Sequence, residues 1–274
     1  MARGRTRTVM TAKVQAAGTT LRPDKLVVEE PLEIRLDDHI VTTTMRTPGH
    51  DYELAVGFCH TEGVLAGWPV TSVRYCATGP ASDTAFNVVT VSTAGRAPTP
   101  EARVRSSTSS CGLCGAASID ALRRRLAPLA PPPPPIDLDA LARAAEEARR
   151  RQSLFRDTGS IHAAAAFDPA TGAVSVLRED IGRHNAVDKV VGRLLLDDLL
   201  PAGGAGLFVS GRASFEIVQK AWAGGFGLVA AVSGPSALAV DTARTANIAL
   251  VGFLRDGSAN IYAPEPGFGV GMAG

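Results

Sequence analysis

Two cysteines stand close together in SSTSSCGLCGAAS, from Ser106 to Ser118, and their spacing suits three kinds of chemistry. Structural zinc requires four ligands of Cys or His type. The rest of the chain offers Cys59, Cys76 and five histidines, but no second close pair. Cys59 falls in a helix-like run, where neighbouring Cys59 and His60 cannot readily turn to one ion. Disulfide exchange of the thioredoxin kind belongs at a strand-to-helix junction, where the helix dipole lowers the thiol pKa. The run before Cys111 is rich in Ser and Thr and does not read as an apolar strand. A thiolate that carries a sulfane sulfur requires an exposed loop able to visit a donor and then an acceptor. Gly112 and Gly115 give such freedom, and Arg103, Arg105 and Arg123 to Arg125 favour the thiolate. The residue types permit this third chemistry without singling it out.

A second group of candidates follows from strand-to-helix turns. Ser210–Gly211 and Ser233–Gly234 each close a short apolar run and precede a helical one, and FLRDGS at Phe253–Ser258 adds another glycine turn. In layered α/β sheets ligands bind beyond the carboxyl ends of the strands. Helix N-termini there attract anions, so a phosphorylated ligand is expected. The simpler alternative is Ser as helix N-cap and Gly for a tight turn. In REDIGRHNAVDK, Arg183, His184 and Asn185 occupy a first helical turn and are candidate ligand contacts. Asp188 and Lys189 are expected outside the apolar stripe.

These residues must be positioned by a chain of 274 residues, 45% hydrophobic and 20% charged, with a formal net charge of +1. That balance supports a substantial core and argues against bulk nucleic-acid or membrane binding. No signal peptide or membrane span is evident, so a cytoplasmic protein without structural disulfides is expected, with Cys59 and Cys76 packed as small hydrophobes. Residues 26 to 47 alternate in polarity on both sides of Asp37–Asp38 and predict a hairpin with Leu32, Ile34 and Leu36 on one face. DYELAVGFCHTEGVL predicts a helix with Leu54 and Phe58 together, and SVRYCAT and AFNVVTVS predict two more strands.

After the cysteine loop, Ala127 to Pro135 (APLAPPPPP) predicts a stiff linker. The next helix has its apolar stripe at Leu138, Leu141, Ala145 and Ala148, with Arg149 to Arg151 at its end. IHAAAAF and AVSVLRE predict a hairpin, and a helix with Val187, Val190, Val191, Leu194 and Leu195 on one stripe follows. Two strand–turn–helix repeats and a closing strand pair then imply parallel pairing. The expected organisation is a smaller N-terminal α+β domain at 1–126, a Pro-rich linker at 127–136 and a C-terminal layered α/β domain at 137–274.

GRHNAVDKVVG, SGRASFEIVQKA, VSGPSALAVDTA and LVGFLRDGSANIY, behind a CGLCG loop, resemble the FdhD family of formate dehydrogenase accessory sulfurtransferases. DYELAVGFCHTEGV is also similar to an early helix of that family, and the motifs occur in the family's order. The resemblance implies a cytidine-deaminase-like C-terminal fold, although this sequence lacks the zinc signature of deaminases themselves. It implies that Cys111 takes sulfur from a cysteine desulfurase as a persulfide, with Cys114 as its partner. The sulfur would pass to a bis-molybdopterin guanine dinucleotide cofactor, carrying Mo or W, that serves formate dehydrogenase. Phe253, Leu254, Arg255, Asp256, Gly257 and Ser258 match the family's cofactor-contacting segment, so guanine nucleotides are expected to bind. The resemblance further implies a homodimer, and no metal held by protein side chains is required. The rival readings are a non-catalytic chaperone for the cofactor and a zinc-stabilised interaction protein.

Overall fold

The computed structural model describes residues 4–76, 86–100, 120, 122, 125–130, 136–255 and 257–264. A four-stranded sheet of β3 (Glu30–Leu36), β4 (His39–Arg46), β5 (Ser72–Tyr75) and β6 (Val88–Ser92) has the order β4-β3-β6-β5. The predicted hairpin is β3–β4. Its two-residue loop, Asp37–Asp38, has positive φ at both positions, as a tight hairpin with matched twist requires. Asp37 tolerates this because its carboxylate accepts from the Ser92 hydroxyl at 3.1 Å and the Thr93 N–H at 2.8 Å. Leu32, Ile34 and Leu36 point inward together, and helix α1 (Asp51–Thr61) covers them with Leu54.

The larger sheet has the order β12-β11-β10-β9-β7-β8. Strands β9 (Gly206–Val209), β10 (Leu228–Ala231) and β11 (Ala249–Arg255) are parallel. Strands β7 (His162–Phe167), β8 (Val174–Asp180) and β12 (Ser258–Ala263) complete it with antiparallel pairings. Successive residues alternate between its two faces. Ala164, Leu207, Val229 and Leu250 meet helices α4 (Arg183–Leu196), α5 (Phe215–Gly224) and α6 (Ala237–Ala246) on one side. Ala165, Phe208, Ala230 and Val251 meet helix α2 (Leu138–Arg151) on the other. The expected mixed α/β class and layered arrangement are therefore observed.

Helices α1 and α4 join the two sheets at backbone contact. A Cβ on Gly57 would lie 1.8 Å from the Asp188 carbonyl oxygen, and one on Gly192 the same distance from that of Glu53. Only glycine allows this crossing. Just before the polyproline run, the Trp222 indole donates to Ala127 O at 2.8 Å. Leu129 exchanges hydrogen bonds with Ala246 and Asn247 at 2.9 Å, which pins this stretch to the ends of α5 and α6. Residues 131–135 of the expected linker lie outside the described residues.

Several sequence expectations are corrected. On α2 the buried positions are Ala140, Leu141, Ala144 and Ala148, whereas Leu138 is exposed; the helix sits rotated so that its smallest side chains approach the sheet. Asp188 and Lys189 are buried, each satisfied by an opposite charge: Asp188 by Lys220 at 2.9 Å, and Lys189 by Asp180 at 2.6 Å. The N-caps of α5 and α6 are Ser214 and Ser236, several residues beyond the Ser-Gly turns, and neither Gly211 nor Gly234 has positive φ. An N-terminal ribbon of β1 (Thr6–Gln15) and β2 (Gly18–Val27) was not foreseen, because its loop is Ala16–Ala17 and carries no turn chemistry.

Candidate functional site

The parallel strands end on one rim, and a cavity of about 830 Å³ opens there. Ser210 follows β9, Val232 follows β10, and Leu254 and Arg255 close β11. Because β7 runs antiparallel to β9, its first residue, His162, arrives at the same rim, as does Ile181 after β8. Helix α2 forms the facing wall with Ala142, Ala145, Glu146 and Arg149, and helix α3 (Ser153–Thr158) adds Phe155. Phe208, Ile161 and Leu254 give the cavity an apolar floor, while Arg149 and Arg255 bring positive charge to its lip. An apolar concavity with a few polar groups at fixed positions is the usual form of a small-ligand site.

Local structure explains these placements. Glu179 at the end of β8 accepts from the N–H groups of Leu154 and Phe155 at 3.0 and 2.8 Å, so it caps α3 from outside and fixes Phe155 at the mouth. Arg151 and Arg143 donate to the carbonyls of Val174 and Thr171 at 2.6 and 2.8 Å and tie α2 to the β7–β8 hairpin. The Ser210 hydroxyl accepts from Ala163 N at 2.9 Å, which leaves its own proton for another acceptor. Burial, with Arg183, His184 and Arg212 nearby, holds His162 below the usual histidine pKa.

The predicted segment Phe253–Ser258 lies on this rim. Leu254, Arg255 and Gly257 line the cavity. Phe253 has φ of 52°, at a break in the β11–β12 register, and its ring packs over the Ser233–Gly234 turn, where a Cβ on Gly234 would come within 2.8 Å. A non-glycine residue held in the left-handed region is a strained position of the kind that gathers at sites. Ser258 Oγ donates to Arg255 O at 2.9 Å and closes the turn around Gly257, whose φ is 71°. Asp256 lies outside the described residues, as do Cys111 and Cys114.

The other candidates divide. Asn185 donates to Met45 O at 2.8 Å and to Asp180 at 3.2 Å, so it serves the fold. His184 contacts Glu216 at 3.1 Å and Ser214 at 3.3 Å; through this histidine, against the penalty of burial, Glu216 falls to about 2. Arg183 keeps a buried Nε without a partner. Cys59 is fully buried, and burial pushes its thiol pKa far up, so it is inert packing. Among the described residues no cluster suited to a metal ion occurs, and no helix is long and apolar enough to cross a membrane. Sequence reasoning missed Arg149, Phe155 and His162 as cavity residues, since nothing in their own segments signals a shared rim.

The profile of the FdhD/NarQ family matches residues 27–267. The chain belongs to the FdhD/NarQ family. The matched span includes Cys111, Cys114 and the whole rim, but leaves out nearly all of the β1–β2 ribbon. Among relatives in the family, a sulfur carrier protein FdhD of Streptomyces avermitilis is 47% identical over 92% of both chains. One from Mycolicibacterium paratuberculosis is 48% identical over 88% of this chain and 90% of its own. A crystal structure assigned to a formate dehydrogenase accessory protein of Desulfotalea psychrophila superposes with a TM-score of 0.76 at 22% identity. It covers 96% of this chain and 99% of that one, and shares the fold.

Proposed function

We propose that this chain is a sulfur carrier that serves formate dehydrogenase, with Cys111 as the carrying thiol and the rim cavity as the place where the acceptor is held. Its FdhD/NarQ relatives bear the name of sulfur carrier proteins. The observation that carries the acceptor half is the cavity itself: Leu254, Arg255 and Gly257 of the predicted cofactor segment meet there an apolar floor and a second arginine, Arg149. That combination suits a ligand with a flat apolar part and phosphates, as in a bis-molybdopterin guanine dinucleotide. The metal of that cofactor is the acceptor of sulfur, and this chain's residues only hold the nucleotide.

The chemistry balances simply. The Cys111 thiolate attacks the terminal sulfur of a cysteine desulfurase persulfide, one S–S bond forms as another breaks, and the desulfurase thiolate leaves. Cys111 then bears a persulfide anion, a soft nucleophile suited to a soft metal. Delivery of that sulfur as sulfide requires two electrons, supplied by a thiol reductant. The arginines at the lip orient the nucleotide phosphates, and Phe208 in the floor and Phe155 at the mouth offer apolar surface to its flat part.

Intact-mass measurement after incubation with a cysteine desulfurase and cysteine tests this directly. Wild type is expected to gain the mass of one sulfur atom, reversibly with reductant, and Cys111→Ala to gain none. No gain on folded wild type would replace sulfur carriage with a chaperone role, and zinc retained in a native spectrum would favour a metal-stabilised interaction protein.

A further inference from the structure

We propose that the β1–β2 ribbon is a docking arm, which enters a cleft with one apolar and one acidic wall on the protein that takes over the loaded cofactor. This rests on the sulfur-carrier reading above, under which that protein is formate dehydrogenase before it holds its cofactor. The two strands pair only with each other, in a ribbon roughly 33 Å long. A lone two-stranded ribbon is marginally stable in water. Here residues 12–23 are all exposed, and the apolar side chains stand farthest out: Met10 is 67% exposed, Val14 and Leu21 76% each.

The register gives the ribbon two unlike faces. Met10 stands opposite Pro23, Ala12 opposite Leu21 and Val14 opposite Thr19, so one face is apolar. Arg7 opposite Leu26, Thr11 opposite Arg22 and Lys13 opposite Thr20 make the other face basic. Lys25 is paired with Asp157 at 3.2 Å, but among the described residues Arg7, Lys13 and Arg22 are in no ion pair. Residues 1–27 hold six Arg or Lys against Asp24, a net charge of +5 on a chain whose total is +1, so the remainder is net −4. A flat lipid or nucleic-acid surface meets one face of a ribbon and leaves the other, of opposite chemistry, unmatched. A protein cleft meets both, and the unpaired edges offer backbone hydrogen bonds to a strand of the partner. Like charge on two arms disfavours their pairing with each other.

The base of the arm sits beside the cavity. Strand β2 lies against α3, with Lys25 on Asp157, and α3 sets Phe155 at the cavity mouth. The arm thus stands next to the place from which a cofactor is handed on. The family profile spans the cysteines and the rim but begins at residue 27, which sets the arm apart from the segments that carry the shared chemistry and fits a role in partner choice.

Biolayer interferometry of the full-length protein on immobilised, cofactor-free formate dehydrogenase tests the arm. Wild type is expected to bind, and more weakly as salt rises. Val14→Thr with Leu21→Thr keeps the strand preference and removes the apolar contact; Lys13→Glu with Arg22→Glu reverses the basic face. Each pair should weaken binding about tenfold to hundredfold, with an unchanged thermal midpoint and an unchanged gain of sulfur from a cysteine desulfurase. Equal binding by wild type and both variants would overturn the arm. A wild-type dimer in light scattering that either variant dissociates would also overturn it, because a second copy then covers the ribbon, as would capture by anionic vesicles that either variant abolishes. Wild type that gains sulfur but does not bind the dehydrogenase would overturn the arm alone. Wild type that does neither would overturn the sulfur-carrier reading with it.

Discussion

The interior around helix α4 and the rim of the cavity treat charge in opposite ways. Among the described residues, the buried charges where α1, α4 and β8 meet have counterparts. Lys189 meets Asp180 at 2.6 Å and Thr47 O at 2.9 Å. One residue earlier, Asp188 meets Lys220 at 2.9 Å and the Thr61 hydroxyl at 2.8 Å, and Lys220 also reaches Glu62 at 3.2 Å. Arg46, fully buried, is shared by Asp51 and Glu30. At the rim Arg149 and Arg255 are in no ion pair among the described residues, although Glu146 lines the same cavity. Burial of an ion is tolerated only when geometry and hydrogen bonding are nearly complete. The matched set therefore belongs to the fold, where it fixes how α1, α4 and β8 meet, and the rim arginines are those left to the nucleotide proposed for the cavity.

Breaking the matched set should be severe. Lys189→Met removes one partner of a buried pair and leaves the Asp180 carboxylate uncompensated, at a cost of roughly 3–5 kcal/mol in urea unfolding. Gly192→Ala comes next: its methyl would sit 1.8 Å from the Glu53 carbonyl oxygen, so α1 and α4 must part. Overpacking of this kind costs about 1–3 kcal/mol, again read by urea unfolding. The smallest effect sharpens the contrast through pH. Burial alone would raise the pKa of Glu53, but the Arg178 fork at 2.5 and 2.8 Å, with His50, lowers it to about 2. A depressed carboxylate pKa means that its contribution is complete above the unfolded value near 4.5 and is lost as pH falls towards 2. Acid titration should show that loss in wild type and a weaker one in Arg178→Met. An identical acid limb in the two would remove Glu53–Arg178 from the matched set.

How far the sequence revealed this depends on where each signal lies. The β3–β4 hairpin, the strand–turn–helix repeats and the placement of Phe253–Ser258 on a carboxyl-end rim were legible. Their period and order in the chain are local, and topology then dictates the rim. The paired charges were not legible, because Asp188 and Lys189 look like any polar positions on a helix until Asp180, Thr61 and Lys220 are brought to them from other segments. The same holds for the site: Arg149 reads as a helix-end cation and His162 as the start of a strand, and only folding sets them around one space. The caps were misplaced because Ser-Gly is a strong local turn signal. The chain instead runs on in extended form, with a bridge between Ala213 and Pro235, before each helix starts.

The division between fold charges and guest charges is tested most directly by urea unfolding with and without saturating GDP on wild type, Lys189→Met and Arg255→Gln. A ligand that binds only the native state adds stability in proportion to its saturation, about 2.7 kcal/mol at one hundred times its dissociation constant. Lys189→Met should start several kcal/mol lower and gain the same increment as wild type, whereas Arg255→Gln should start level with wild type and lose most of the increment. The contrary result, Arg255→Gln unstable in the absence of nucleotide and Lys189→Met as stable as wild type, would contradict it.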